Sequence, residues 1–249
     1  MSKLNYNAVT IKVEGTDYEF HTLNDWSAYV QNSDCIGDPV QYTRYIEIPG
    51  RNGLLDVSEV ISGRQIYTSR PLKIVLAGIR EKADWDSVIS DFRNKINGRI
   101  CQFIFDNDPG YFWRGRVAIK NFSSVLSRGS FEIDIPTADP YKYAINSSTD
   151  PRLWDPFNFE TGVITYIGAI TIVGSGSITL PHGYMATSPD IIVSNKTSGT
   201  FTVTYDGDTY ELNVGKNRIP SIIVGGDEDV TLTFTGNARV EIVYRSGSL

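Results

Sequence analysis

The chain has 249 residues, of which 41% are hydrophobic and 21% charged, and its formal net charge is −6. This composition is typical of a soluble globular protein with one large domain or two of ordinary size. It argues against a non-specific surface for nucleic acid or anionic membranes, and no apolar run approaches the ~20 residues of a membrane-spanning helix.

The chain begins with MSKLNYNAVTIKVEG, which lacks the apolar core of a secretion signal. We therefore expect synthesis in a reducing cytoplasm. Cys35 and Cys101 lie far apart without a partner spacing. Free thiols are the expected state of such cysteines.

Residues 49–78, PGRNGLLDVSEVISGRQIYTSRPLKIVLAG, combine tight turns with a short apolar patch. Pro49, Gly50 and Gly53 allow a sharp turn after a strand that ends at Ile48. The patch that follows consists of Leu54, Leu55, Val57, Val60 and Ile61. From the residues alone, an ordinary loop folded onto its own sheet is favoured over a projecting arm.

One amphipathic helix is predicted within EKADWDSVISDFRNKING. Asp84 is suited to cap its start and Gly98 to take the left-handed position after its end. Its apolar stripe is wide enough that it must cover a sheet. The stripe contains Trp85, Val88, Ile89, Phe92 and Ile96.

Two strands after this helix carry charges of opposite sign. The run GYFWRGRVAIKNF places apolar residues on one face and Arg114, Arg116 and Lys120 on the other, whereas SFEIDIP turns Glu132 and Asp134 outward. In a hairpin, the basic row would lie near the acidic row and help to fix the register. A solvated sheet face and a subunit contact both stay open as explanations of this charge pattern.

A boundary is predicted in ADPYKYAINSSTDP, residues 138–151, because two Asp-Pro pairs flank a small polar run. This divides the chain into domains 1–145 and 146–249. The second domain has short strand-like runs separated by turn signals, a pattern that favours a β-sandwich. The runs are GAITIVG, GSITLP, DIIVSN, FTVTYDG, TYELNVG, VTLTFTG and RVEIVYR.

No motif in the sequence indicates catalysis. His21 and His182 have no partners at metal-ligand spacing, and there is no nucleophile elbow, phosphate loop or dinucleotide fingerprint. DNDPG and GGDEDV are typical of turns more than of cation sites. We therefore expect no enzyme activity, cofactor or metal. A carbohydrate-cleaving carboxylate pair remains an alternative, because its spacing is spatial and not sequential.

An ordered series of motifs resembles the distal tail protein (Dit) family of siphophages that mostly infect Gram-positive bacteria. The series is PGRNG at 49–53, DPGYFWRGR at 108–116 and ADPY at 138–141, within a match over about residues 40–142. The ending VEIVYRSGSL is also similar to that of such proteins.

The resemblance implies a mainly β protein. Its N-terminal domain would be a tail-tube-like β-sandwich with one flanking α-helix and a projecting belt hairpin, at about residues 49–70. Its C-terminal domain would be a galectin-like β-sandwich. The implied function is that of a structural virion protein at the distal end of the tail.

The implied partners are those of a tail hub. They are five further copies in a hexameric ring, single or stacked as two rings, the tail tube protein, the tail-associated lysin or fibre hub and, in some relatives, receptor-binding proteins. DNA would pass through the ring as cargo without specific binding, and no membrane contact is implied.

With this resemblance, the apolar patch is interpreted as a belt that a neighbouring copy buries. The predicted contact residues are Arg51, Asn52, Leu54, Leu55, Val57 and Ile61, with Arg114 and Arg116 as weaker candidates.

The alternative function is a module that binds host cell-wall carbohydrate. It has less support from the residues, because the C-terminal domain lacks the His-Asn-Arg set of a galectin and its only tryptophan, Trp154, lies near the linker. Tyr184, Tyr205 and Tyr210 could stack on sugars, although such tyrosines are more often packing residues.

Overall fold

The computed structural model describes residues 7–60, 62–78, 85–125, 128–145, 168–197, 199–226 and 228–249. The chain separates into two compact units, Met1–Pro140 and Tyr141–Leu249. This division falls inside the Asp-Pro-rich segment 138–151. Both units are mainly β, as the sequence predicts. In the described part of the chain, neither helix is long and apolar enough to cross a membrane.

The first unit has two helices among its strands. Its elements are β1 (Val9–Val13), β2 (Glu19–His21), α1 (Thr22–Trp26), β3 (Ala28–Val30), β4 (Val40–Gln41), β5 (Tyr45–Glu47), β6 (Leu54–Asp56), β7 (Tyr67–Gly78), α2 (Trp85–Ile96), β8 (Ile100–Phe105), β9 (Tyr111–Arg116), β10 (Ala118–Val125) and β11 (Arg128–Ala138).

Two antiparallel sheets form the sandwich of this unit. One has the order β2-β1-β8-β9 and the other β10-β11-β7-β3, with β4 paired to the start of β7. Their apolar faces share one buried cluster, to which β1 contributes Ile11, β7 contributes Ile74 and β11 contributes Ile133. The alternation of buried and accessible residues along β1 and β8 is that expected of sheets with one face on a core.

Helix α2 covers this core, and its existence is confirmed. Three of its apolar side chains, Ile89, Phe92 and Ile96, are buried. The centroid of the Phe92 ring lies 3.8 Å from that of Trp26 and 4.8 Å from that of Phe131. Gly98 follows the helix with φ +75°, the left-handed conformation that the sequence predicts. The predicted cap, Asp84, and the side chains of Trp85 and Val88 lie outside the described residues.

The predicted basic row is only partly correct. β10 and β11 form a hairpin in which Lys120 lies opposite Glu132 and forms an ion pair with Asp134. Arg114 and Arg116, however, lie on β9 in the other sheet. The chain crosses between the sheets at Val117, and the alternation continues through the crossing because both flanking strands face the same core. The alternation of apolar and polar residues in the sequence therefore gives no sign that the chain changes sheets at Val117.

Helix α1 was not predicted, since five residues are too few to show a helical period. It is set by its ends: the His21 side chain accepts a hydrogen bond from the Asn24 N–H, and Ser27 terminates the helix with φ 52°. Thr22 is buried and accepts a hydrogen bond from the Val9 N–H at 3.2 Å, which ties the helix to β1.

The second unit contains strands only among its described residues. They are β12 (Lys142–Ala144), β13 (Ala169–Ile172), β14 (Ser175–Leu180), β15 (Gly183–Thr187), β16 (Asp190–Ser194), β17 (Thr202–Tyr205), β18 (Asp208–Glu211), β19 (Gly215–Arg218), β20 (Val224–Gly226), β21 (Val230–Thr235), β22 (Ala238–Val243) and β23 (Gly247–Ser248).

Two four-stranded sheets, β13-β22-β16-β19 and β14-β21-β17-β18, pack through one apolar cluster, so the predicted β-sandwich is confirmed. All seven predicted runs contain a strand. The stacked rings of Phe201 and Phe234, 5.9 Å apart, lie in this core. β12, β15, β19, β20 and β23 were not predicted, because they are short and rich in glycine or polar residues.

An ion-pair network ties β9 to the end of β1. Arg114 donates from Nε and Nη2 to the two carboxylate oxygens of Glu14, at 2.7 and 3.0 Å, and from Nη1 to Asp139 at 3.2 Å. Gln102 also donates to Glu14, at 3.1 Å. The hydrogen bonds from Arg114 hold the pKa of Glu14 below its ordinary value of 4.5, against the opposing effect of partial burial.

The close approach of the two sheets at Gly115 generates a first prediction. A Cβ at this position would lie 2.3 Å from Ile135 Cγ2 and 3.0 Å from the Ala138 backbone. Gly115→Ala should therefore destabilise the chain by about 1–3 kcal/mol, a typical cost of overpacking, measured as a lower midpoint of thermal unfolding.

The matched control is Gly183→Ala, because that strand glycine has no heavy atom within 4 Å of its ideal Cβ and no left-handed φ. It should leave stability within about 0.5 kcal/mol of wild type. Equal stabilities of the two variants would contradict the tight contact at Gly115.

The Glu14 network generates a prediction about pH. Because the pKa of Glu14 is lowered by folding, its ionisation stabilises the fold fully above the unfolded pKa, and this stability is lost as pH falls through the folded pKa. Wild type should exceed Glu14→Gln in unfolding free energy by on the order of 1 kcal/mol at neutral pH, since the groups are about a third exposed. Denaturant titrations should show this difference shrinking below pH 4.5.

Glu19→Gln serves as the control for charge removal. Glu19 pairs with Lys12 at 3.1 Å, but both side chains are about half exposed. Its loss should change stability by a few tenths of a kcal/mol. A Glu14→Gln variant as stable as Glu19→Gln at neutral pH would contradict the role assigned to the network.

Candidate interaction arm

The segment from β4 to the start of β7 forms a projecting ribbon, here called the arm (residues 40–67). At its root, Val40 pairs with Ser69 and Gln41 with Tyr67, which joins the arm to the long strand β7. The Tyr42 N–H donates to the Ile66 carbonyl at 2.8 Å and continues this pairing outward. The arm is therefore attached to a strand whose inner half belongs to the sandwich core.

The outer part of the arm is a hairpin of β5 and β6. Three residue pairs define its register, among them Ile46 with Leu55 and Glu47 with Leu54. The turn between the strands is held by the Arg51 N–H, which donates to the Ile48 carbonyl at 3.1 Å. Gly50 and Gly53 take φ of +84° and +83°, as the predicted sharp turn requires.

A small polar cluster closes the base of this hairpin. Arg44 donates its backbone N–H to Ser58 Oγ at 2.8 Å and accepts from the Val57 N–H at 2.9 Å. Ser58 in turn donates to Asp56 Oδ1 from its hydroxyl, at 2.5 Å, and from its backbone, at 2.9 Å. These bonds lower the pKa of the Asp56 carboxyl, so the cluster is held by an ionised side chain.

The arm has almost no core of its own. Every residue from 40 to 54 is exposed, and Ser58 is the one buried residue among those described in the arm. Eight of the fourteen large hydrophobic side chains that are exposed in the described parts of the chain belong to the arm, which makes it the main apolar surface of the first unit. They are Val40, Tyr42, Tyr45, Ile46, Ile48, Leu54, Val60 and Ile66.

The predicted belt residues all lie in the arm, but not on one face. Arg51 and Asn52 are exposed in the hairpin turn, and Leu55 and Val57 are half-buried. Leu54, which is 60% exposed, points to the opposite side from Leu55 because neighbouring strand residues alternate. The prediction that Leu54 and Leu55 belong to one patch is therefore wrong. Ile61 lies outside the described residues.

A strand ending at Ile48 is predicted from the sequence, but its pairing with β6 and its share of the apolar surface are not. Tyr45, Ile46 and Ile48 precede the turn and are exposed. A signal for them existed, because Asn52-Gly53 between two apolar runs indicates a hairpin. An apolar YIEI run before that turn should have been counted with the patch that follows it.

The two weaker candidates are engaged within the first unit. Arg114 belongs to the Glu14 and Asp139 network. Arg116 donates to the Gly98 carbonyl, next to the end of α2. Neither guanidinium is therefore an unused donor.

The side chains of the second unit that could contact a sugar differ in exposure and in their partners. Tyr184 is exposed, whereas the Tyr205 hydroxyl donates to the Ile223 carbonyl at 3.3 Å and its ring packs against the core. His182 Nδ1 lies 2.7 Å from Asp229, whose pKa is lowered mainly by the backbone N–H of His182. Trp154 and Asp227 lie outside the described residues.

Hydroxyl groups cover the outward face of the sheet β14-β21-β17-β18. They pair across strands as Ser177 with Thr233 at 3.1 Å and Thr179 with Thr231 at 3.0 Å. Each pair satisfies one donor and one acceptor of these hydroxyls within the sheet. Among the described residues, no group of three His, Cys, Asp or Glu side chains could hold a metal ion.

No protein-family model matches the sequence, and no curated protein matches it. Among solved structures, the chain is similar to the SPP1 Dit protein (gp 19.1), described as a paradigm of the hub adsorption apparatus in Gram-positive infecting phages. The match covers 97% of this chain and 99% of that chain, with a TM-score of 0.57 and 13% sequence identity. At this identity the likeness is one of fold, and it extends over the full length of both chains.

Proposed function

We propose that this chain is a structural virion protein, the ring-forming hub at the distal end of a phage tail. The observation that carries this proposal is the arm: a folded hairpin whose apolar side chains have no core within the described chain. The full-length fold likeness to SPP1 Dit supports placing that arm in a tail hub.

The energetics of the arm favour its burial by a partner. A lone two-stranded hairpin is at best marginally stable in water. Burying a Leu, Ile or Val side chain contributes about 1.5–3 kcal/mol. For the half-exposed side chains of the arm, about 1 kcal/mol each is available on association, and several such side chains together offset the cost of docking.

Arm contacts of this kind produce a ring. An arm that packs on a different surface of the next copy makes a heterologous contact, which repeats around an axis and closes when the rotation permits. The number six, and a choice between one ring and two stacked rings, follow from the resemblance to the distal tail family.

In this proposal the ring joins the tail tube on one side to the tail-associated lysin or fibre hub on the other. Receptor-binding proteins are further candidate partners. DNA passes through the ring as cargo, and the formal net charge of −6 disfavours its retention. The protein acts through its interfaces and not as an enzyme.

A native-mass measurement tests the ring. Light scattering after size exclusion should give about six chain masses of 27.7 kDa, or twelve for stacked rings. Leu54→Asp with Val60→Asp should shift the protein to folded monomers, because these side chains are 60% and 75% exposed and support no core within the chain.

The control replaces two similarly exposed apolar side chains by aspartate outside the arm. Val173→Asp with Val214→Asp changes side chains that are 77% and 68% exposed in the second unit, and should leave the mass unchanged. Rings that persist in the arm variant, or dissociate equally in the control, would show that the arm is not the clasp. A wild-type chain that stays monomeric up to its solubility limit would contradict a self-assembling hub.

Hydrogen exchange should report the burial of the arm directly. Peptides covering residues 42–58 should exchange rapidly in the dilute monomer, since their hydrogen bonds are local and solvent-accessible, and slow at least about tenfold in the assembled state. Core peptides of β7, residues 72–78, should be protected in both states. Equal exchange of 42–58 before and after assembly would place the interface elsewhere.

A further inference from the structure

Arg70 is a buried arginine at the junction between the arm and the sandwich. Arg70 is on β7, in the same inward-facing row as Leu72 and Ile74, and it is only 6% exposed. It lies opposite Ala138 of β11, just beyond an irregularity in the pairing of the two strands. A charged side chain thus occupies the last core-facing position before the arm.

This guanidinium has no hydrogen-bond partner among the described residues. Its Cζ lies 4.8 Å from the centroid of the Trp113 ring, and its Nε is fully buried without an acceptor. None of the ion pairs within 4.0 Å in the described chain includes Arg70. Arg114, with three hydrogen bonds to carboxylates, shows how a structural arginine of the same unit is satisfied.

The arrangement is costly for the isolated chain. A cation–π contact contributes roughly 0.5–2 kcal/mol, whereas a buried donor without an acceptor loses its hydration and gains no hydrogen bond. Burial lowers the pKa of Arg70, and the nearby Asp38 and Tyr67 only oppose this effect without forming a hydrogen bond to it. An apolar side chain in this row would avoid the cost.

We propose that Arg70 and Trp113 form an oxyanion-binding site at the root of the arm. A guanidinium carries five N–H donors in a planar fork that fits the oxygens of a carboxylate or phosphate. Trp113 lies on one side of this fork, with its ring centroid 4.8 Å from Cζ. Of the Arg70 nitrogens only Nε is both fully buried and unpartnered, so the two Nη groups are the donors that would meet an incoming anion.

Two sources can supply this chemistry: a free oxyanion of the phosphate type, and a carboxylate side chain presented by a second copy of the chain. The first is independent of the proposed hub, and the second rests on it. Both would give the Nη groups of Arg70 an acceptor that the described chain does not provide.

The first arm of the test follows the Arg70 Nε–H signal by NMR in dilute, isotope-labelled wild-type protein. The signal is assigned by its loss in Arg70→Met, or in Arg70→Lys if the former does not fold. Phosphate should shift it saturably, and chloride at equal ionic strength should not. Arg93→Gln, which removes the same charge from an exposed helical position, should keep the response.

The second arm measures self-association without phosphate by light scattering. If a second copy supplies the carboxylate, Arg70→Met should weaken association by about tenfold or more, as expected for a buried charge pair, and Arg93→Gln should not. A shift with phosphate identifies a free anion as ligand, and a loss of association alone identifies the second copy. A silent Nε–H signal together with unchanged association would overturn the site.

Discussion

The apolar surface of the arm cannot be buried by the hairpin that carries it. Side chains on a two-stranded ribbon alternate between its faces, so Leu54 and Leu55 point in opposite directions and neither face encloses the other. The ribbon is fixed instead from its root, where β7 runs without interruption from the buried Leu76 outward to Tyr67. One strand therefore connects a rigid core to an extension that has none, and the rest of the architecture depends on that connection.

Much of the fold could be predicted because its signals are local and periodic. Helix α2 was predicted from a stripe that includes Phe92, and the strands of the second unit from their alternation between turn residues. The crossing at Val117 could not be predicted, because both sheets face one core and the alternation passes through it unchanged. Helix α1 is fixed by the caps His21 and Ser27, and five residues leave no period to detect.

The candidate site shows the same division between local and spatial information. The sequence predicts the turn at Gly50 and Gly53 and the apolar residues that begin at Leu54. With the Asn-Gly signal, it also predicts the strand before this turn. Arg114 looked like a free cation, but Glu14, its main partner, is 100 residues away. Arg70 was not predicted as a site residue, because only the structure reveals that its guanidinium is buried and lacks an acceptor.

The arm and Arg70 are neighbouring features that each lower the stability of an isolated chain. One leaves apolar side chains in water and the other leaves a buried donor unpaired, and both lie between residues 40 and 70. Elsewhere in the described first unit, the apolar rows of the sandwich are buried and Arg114 is paired with Glu14 and Asp139. A partner that covers the arm and pairs with the Nη groups of Arg70 would offset such costs, because it binds only the folded chain. In the proposed hub, such a chain would gain stability on assembly, and the strand that would transmit the gain to the core is β7.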